Sequence, residues 1–215
     1  LQPAREDFVM STSATPPTAD LEAPATTDLE SLSRRPRRAD ARRNYEKVIA
    51  AAREAFAERG ASTSLEEIAR RAEVGIGTLY RNFPNRQALL EAVYVDEVEN
   101  LCRSSLELNA LEPWDAFVAW VHRLIGYLVT KQALVHELFE YVDRDDPLFK
   151  TCRGSLFTAG QPLLARAQEA GAVRPDTDLS EIIQMVGGIA KIPGAEPPQI
   201  QHIVEIALDG LRQRS

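Results

Sequence analysis

Nowhere does this chain hold an apolar run near the ~18 residues that crossing a bilayer takes, and its first residues lack the continuous apolar core of a secretory signal. A cytoplasmic protein with no membrane partner is expected. Cysteine is nearly missing. Cys102 and Cys152 have neither metal-type spacing nor a neighbour to bridge to, so they read as reduced, partly buried thiols rather than a disulfide. His122 and His136 stand fourteen residues apart, not at the i, i+4 spacing that chelates a metal. Strand-like alternation and internal repeats are also absent. So are a nucleophile–base pairing, a Glu-x-x-His motif and a recognisable cofactor loop. An all-α enzyme is therefore disfavoured, and no cofactor or metal is expected.

What is present is charge, unevenly spread. The net of −7 over 215 residues argues against a nucleic-acid partner when taken as an average. Residues 34–86, however, carry 13 lysines and arginines against 7 acids, while residues 87–215 carry 11 against 19. A basic block thus precedes an acidic body, as in a nucleic-acid module joined to something else; a solvated basic face is the plainer alternative. Residues 1–33 are rich in Pro, Thr, Ala, Ser and acids without periodicity, and read as a disordered tail. Met10 reads as a native start, with residues 1–9 as an artefact.

Helical signals dominate the rest. Val48, Ile49, Ala52, Ala55 and Phe56 repeat at helical spacing before Gly60, predicting a helix over 40–59. Ser64 followed by Glu67 has the form of a capping box for a short helix over 65–72. A turn at Glu73-Val74 leads to a helix over 76–83, which Pro84 stops. Asn85 caps a long fourth helix. Runs from Pro113, over 134–142, from Pro147 to Ala170 with a break expected near Gly160-Gln161-Pro162, over 180–189 and over 198–211 complete about nine helices. The fold class is all-α, with a three-helix helix-turn-helix unit over 34–86 and a helical body over 87–215.

The Gly-x-Gly of VGIGTLYRNFPNR raises a phosphate-binding loop as an alternative. Such a loop needs a preceding buried strand and a βαβ frame, and EEIARRAEV before it reads as a polar-faced helix. A helix-turn-helix fits better, one helix bracing on the DNA backbone while the next enters the major groove. Stepping the third helix at about 100° per residue turns Leu79 and Phe83 inward and Gly77, Thr78, Tyr80 and Arg81 outward. Gly75 can cap that helix and leave its first N–H groups open to a phosphate.

The stretch TSLEEIARRAEVGIGTLYRNFPNRQALLEA resembles the DNA-binding domain of the TetR family of transcriptional regulators, through Thr63, Ile68, Ala69, Ala72, Val74, Gly77, Thr78, Leu79, Tyr80, Phe83, Arg86 and Leu89. It departs from the family pattern at Glu73, where glycine is usual, and at Gly75, where serine is usual. The resemblance implies a repressor on a palindromic double-stranded DNA operator, bound as a homodimer and released by a small-molecule effector. It implies that Thr78 and Tyr80 touch phosphate or a thymine methyl, that Ile76 supports the turn or meets a methyl, and that Thr63 and Arg86 clamp phosphates. Arg81 is the candidate for reading guanine in a bidentate way, with Asn82 a lesser one, Gly77 allowing close approach, and Arg38 and Arg42 forming a basic arm. Phe117, Trp120, Val121, Leu124, Tyr127, Phe139, Phe157 and Met185 are available to line a ligand pocket. Ile182, Val186, Ile200, Ile203, Val204, Ala207, Leu208 and Leu211 are the expected dimer interface. A module binding DNA without sequence preference, or a helical protein-interaction module, is the standing alternative.

Overall fold

A computed structural model describes residues 29–32, 35–59 and 63–213. The expected start at Met10, and the tail up to residue 28, lie outside the described residues. Among those residues the chain is all helix: α1 (Leu29–Leu32), α2 (Ala39–Arg59), α3 (Leu65–Arg71), α4 (Ile76–Asn82), α5 (Arg86–Glu107), α6 (Pro113–Leu138), α7 (Pro147–Glu169), α8 (Leu179–Ala190) and α9 (Pro197–Leu211), with a 3₁₀ turn at Leu108–Ala110. The turn α1 falls inside the segment read as tail and packs on α5 and α7. No helix among the described residues is long and apolar enough to cross a membrane.

Two boundaries differ from expectation. Residues 113–138 form one helix, not two, because the polar Thr130-Lys131-Gln132 run that interrupts the apolar stripe does not interrupt the backbone. Likewise α7 runs through Pro162, although proline cannot donate the helical bond to residue 158. Within α7, Gly160 lies against the indole of Trp120, and a Cβ there would sit 2.4 Å from a ring carbon. Absence of a side chain is what lets α6 and α7 approach at this level.

The N-terminal unit is α2, α3 and α4 around Val48, Ile49, Ala52, Phe56, Ile68, Leu79 and Phe83, all buried. Tyr45 adds its ring to that core, 4.9 Å from the Phe83 centroid. The body is built on α5, α6 and α7, with α8 and α9 laid on α6. Its C-terminus is tied back by Arg174 N–H donating to the Leu211 carbonyl and Gln213 N–H to the Ala172 carbonyl.

Candidate DNA-binding interface and the body behind it

Ser64 caps α3 by accepting a hydrogen bond from Glu67 N–H at 3.2 Å. The expected box is only half formed. The Glu67 carboxylate is drawn instead to the Arg70 and Arg71 guanidiniums, which hold its pKa below the usual carboxylate range. Past the C-cap Ala72, Val74 N–H reaches the Ala69 carbonyl at 3.0 Å and Glu73 N–H the Arg70 carbonyl at 3.2 Å. This crossed pair closes a Schellman turn, which needs a left-handed residue between cap and exit. Glu73 is that residue, at φ 55°.

The turn aims α4. Leu79 and Phe83 are buried, each contributing roughly 2–3 kcal/mol by leaving water. The other face is open: Gly77 and Arg81 are exposed, as are Ile76 at 40 % and Tyr80 at 43 %. A Cβ on Gly75 or Gly77 would meet nothing within 4 Å, so that face has free approach. Gly75 caps the helix by backbone alone, with no side-chain bond. Arg81 Nε donates to the Gly77 carbonyl at 3.2 Å, and Asn82 to the Thr78 carbonyl at 2.9 Å, which turns the half-buried Asn82 back along its own helix. Of the expected contact residues, Gly75, Ile76, Gly77, Tyr80 and Arg81 are therefore exposed, and Thr78 is half-buried.

Thr63 and Arg86 do not join them. Thr63 is buried and its hydroxyl donates to the Ala55 carbonyl at 3.2 Å, so the side chain expected to clamp a phosphate is engaged with α2. The Arg86 guanidinium donates to the Thr63 carbonyl and pairs with Glu137 at the far end of α6, over the Phe56 ring at 5.2 Å. It joins the N-terminal unit to the body. The basic arm is partly committed too. Arg35 binds Asp96 and Glu99 on α5, and Arg53 binds Asp96 and Glu97. Arg38 is exposed, and Arg42 pairs in solvent with Glu46 at 2.9 Å.

In the body, Phe117, Trp120, Val121 and Leu124 are fully buried. Phe139 packs at a tilt against Phe149, ring centroids 5.4 Å apart, and Phe157 is half-buried. Met185 lines a cleft of ≈ 330 Å³ with Ile182, Leu211, Arg174, Asp176, Thr177 and Glu181. Tyr127 is buried against a lysine that sequence reasoning passed over, Lys131, inside the polar interruption of α6. Of the expected dimer residues, Ile182, Val186, Ile200, Val204, Leu208 and Leu211 are buried within the chain itself. Ile203 and Ala207 are half-buried, and the outer face continues through Ile206, 59 % exposed, which the periodicity had not marked.

Comparison with known proteins follows this division. The sequence model for bacterial regulatory proteins of the tetR family matches residues 48–93. That for the C-terminal domain of SbtR-like transcriptional regulators matches residues 112–213. Among solved structures, the TetR transcriptional regulator SCO0520 from Streptomyces coelicolor is 37 % identical, covering 79 % of this chain and 99 % of its own, with a TM-score of 0.71. A TetR transcription regulatory protein from Mycobacterium vanbaalenii is 33 % identical over 82 % of this chain and 99 % of its own, at a TM-score of 0.69. The HTH-type transcriptional regulator UidR of Escherichia coli K12 is 27 % identical over 135 residues, 60 % of this chain and 69 % of that protein.

Proposed function

This chain belongs to the TetR family of DNA-binding transcriptional regulators, and from that premise we propose that it is a repressor that grips a palindromic operator as a homodimer and releases it when a small molecule enters the body. One observation carries the DNA-reading half. A helix whose inner face is locked by Leu79 and Phe83 offers Ile76, Gly77, Tyr80 and Arg81 to solvent, with the half-buried Thr78 beside them and free space at Gly77. Arg81 is the base reader; Thr78, Tyr80 and the N–H groups after Gly75 meet phosphate; Ile76 meets a methyl.

A seven-residue recognition helix touches too few base pairs to specify a site alone. Two copies on one face of the duplex, about 34–36 Å apart or a multiple of it, solve that problem. The outer edge of α9 at Ile203, Ile206 and Ala207 supports pairing through this face. Selection of bound sequences from random duplexes tests the reading. A two-fold symmetric consensus is expected; a featureless pool, with random DNA bound nearly as tightly, would leave only non-specific binding. Effector release is read separately, by operator affinity with and without small molecules shown to bind the body.

A further inference from the structure

Lys131 stands one turn after Tyr127 on α6, and its ammonium lies 5.1 Å from the centroid of the Tyr94 ring on α5 and 5.2 Å from that of Tyr127. Both rings are buried, as is Cys152 on α7 beside them. Burial pushes the two phenols up and the Cys152 thiol to about 12, so none of these neighbours supplies a negative charge near neutrality. Arg153 on α7 and Lys191, the C-cap of α8, are exposed cations near enough to push the same ammonium's pKa down.

The acids of the adjoining helix are already engaged. Asp96, Glu97 and Glu99 are taken by Arg35 and Arg53. Among the described residues no carboxylate pairs with Lys131, Arg153 or Lys191, in a body that carries 19 acids to 11 bases. Ring faces attract the ammonium charge but accept no ordinary hydrogen bond, so its three N–H donors remain available. A half-buried cation without an anion is costly to keep. Methionine would fill the same space at less cost, so packing does not explain the charge.

We propose that Lys131 anchors a small organic oxyanion, a carboxylate or a phosphate ester, beside the Tyr94 and Tyr127 rings where α6 meets α5 and α7. The proposal rests on the effector reading of the body and names its ligand chemistry. An oxyanion would bind Nζ by a charge-assisted hydrogen bond at a site where water competes poorly. Because the ligand sits on α6, whose last turn carries Glu137, it binds to the same rod that meets the N-terminal unit through Arg86.

Calorimetry on the full chain, without DNA, tests this with phenylacetate, phenyl phosphate and the neutral phenylacetamide at millimolar concentration. At least one of the two acids should bind and the amide should not; which acid binds better identifies the head group. Lys131→Met should lower that affinity roughly tenfold or more, and Lys131→Arg should keep most of it. If Lys131→Met does not fold, the double variant Arg153→Ala/Lys191→Ala, both at exposed positions, decides by weakening binding about threefold or more. Equal affinity in wild type and variants, amide bound as tightly as acid, or no heat from either acid overturns the proposal. A failed operator selection would sink the repressor reading while leaving this binding result untouched.

Discussion

The guanidinium of Arg86, at the first residue of α5, pairs with the carboxylate of Glu137, at the end of α6, whose side chain is 7 % exposed. These ends belong to different halves of the molecule: Arg86 sits against Phe56 and Thr63 of the N-terminal unit, and Glu137 in the body. Removing the cation strands a carboxylate out of water. Arg86→Ala should cost about 3 kcal/mol of stability in urea unfolding, and replacing Glu137 by leucine in the same chain should restore part of it. Unchanged stability with weaker DNA binding would return Arg86 to the phosphate backbone.

Glu73 holds a left-handed conformation that the Schellman turn demands. A non-glycine residue there costs on the order of 1–2 kcal/mol, part of which glycine gives back through a freer unfolded chain. Its 4.0 Å approach to Lys47 is exposed on both sides and adds little. Glu73→Gly should therefore stabilise the protein by about 1 kcal/mol, read as a higher urea midpoint; a lower midpoint would mean that the carboxylate has work not visible in the turn.

Gly160→Ala should do the opposite. The new methyl would enter the Trp120 ring, which is fully buried and has nowhere to move. Overpacking of this kind costs about 1–3 kcal/mol. Thermal unfolding checks it, and a neutral result would show that α6 and α7 can slide apart without loss.

Lys131 offers a test by pH. Burial lowers its pKa from 10.5 to about 8. Between those values the unfolded chain binds the proton and the folded chain does not, so stability rises with pH through that window and the cost of the charge is fully present below it. Lys131→Met should be more stable than wild type by about 2 kcal/mol at pH 7, after allowing for the lost ring contacts, with the margin narrowing above pH 8. The raised thiol of Cys102 acts alike in both proteins and cancels, while Cys152, which the Lys131 charge draws down in wild type, is raised further in the variant and stays neutral through this window in both. A margin independent of pH would show that the ammonium is fully hydrated.

Arg81→Ala should relax operator preference at one base pair, costing about 1–3 kcal/mol on the specific site. Binding to random duplex should change little. Equal loss on both would make Arg81 a phosphate contact.

The recognition helix is legible in the sequence because each of its constraints is local: Leu79 and Phe83 one turn apart, a proline after them, a cap before them. The partners of Arg86 and Thr63 are not legible in the same way. A motif says that an arginine stands there, but whether it meets a phosphate or a carboxylate 51 residues away depends on where α6 ends. Lys131 is hidden for a related reason, since a polar run inside an apolar stripe looks like a helix boundary until two tyrosines are seen beneath it. In α8 and α9 the periodicity finds the face toward the chain's own core, and so marks Val186 and Val204 where the outward residue is Ile206.

The pairing of Arg35 and Arg53 with Asp96, Glu97 and Glu99 also bears on how the protein meets DNA. A cation that neutralises a phosphate gains affinity because the DNA sheds a condensed counterion. A guanidinium already neutralised by a carboxylate of its own chain carries its counterion with it, and brings no such entropy to the complex. The basic block therefore displaces fewer ions than its 13 positive charges suggest. That weakens the indiscriminate part of the grip on DNA.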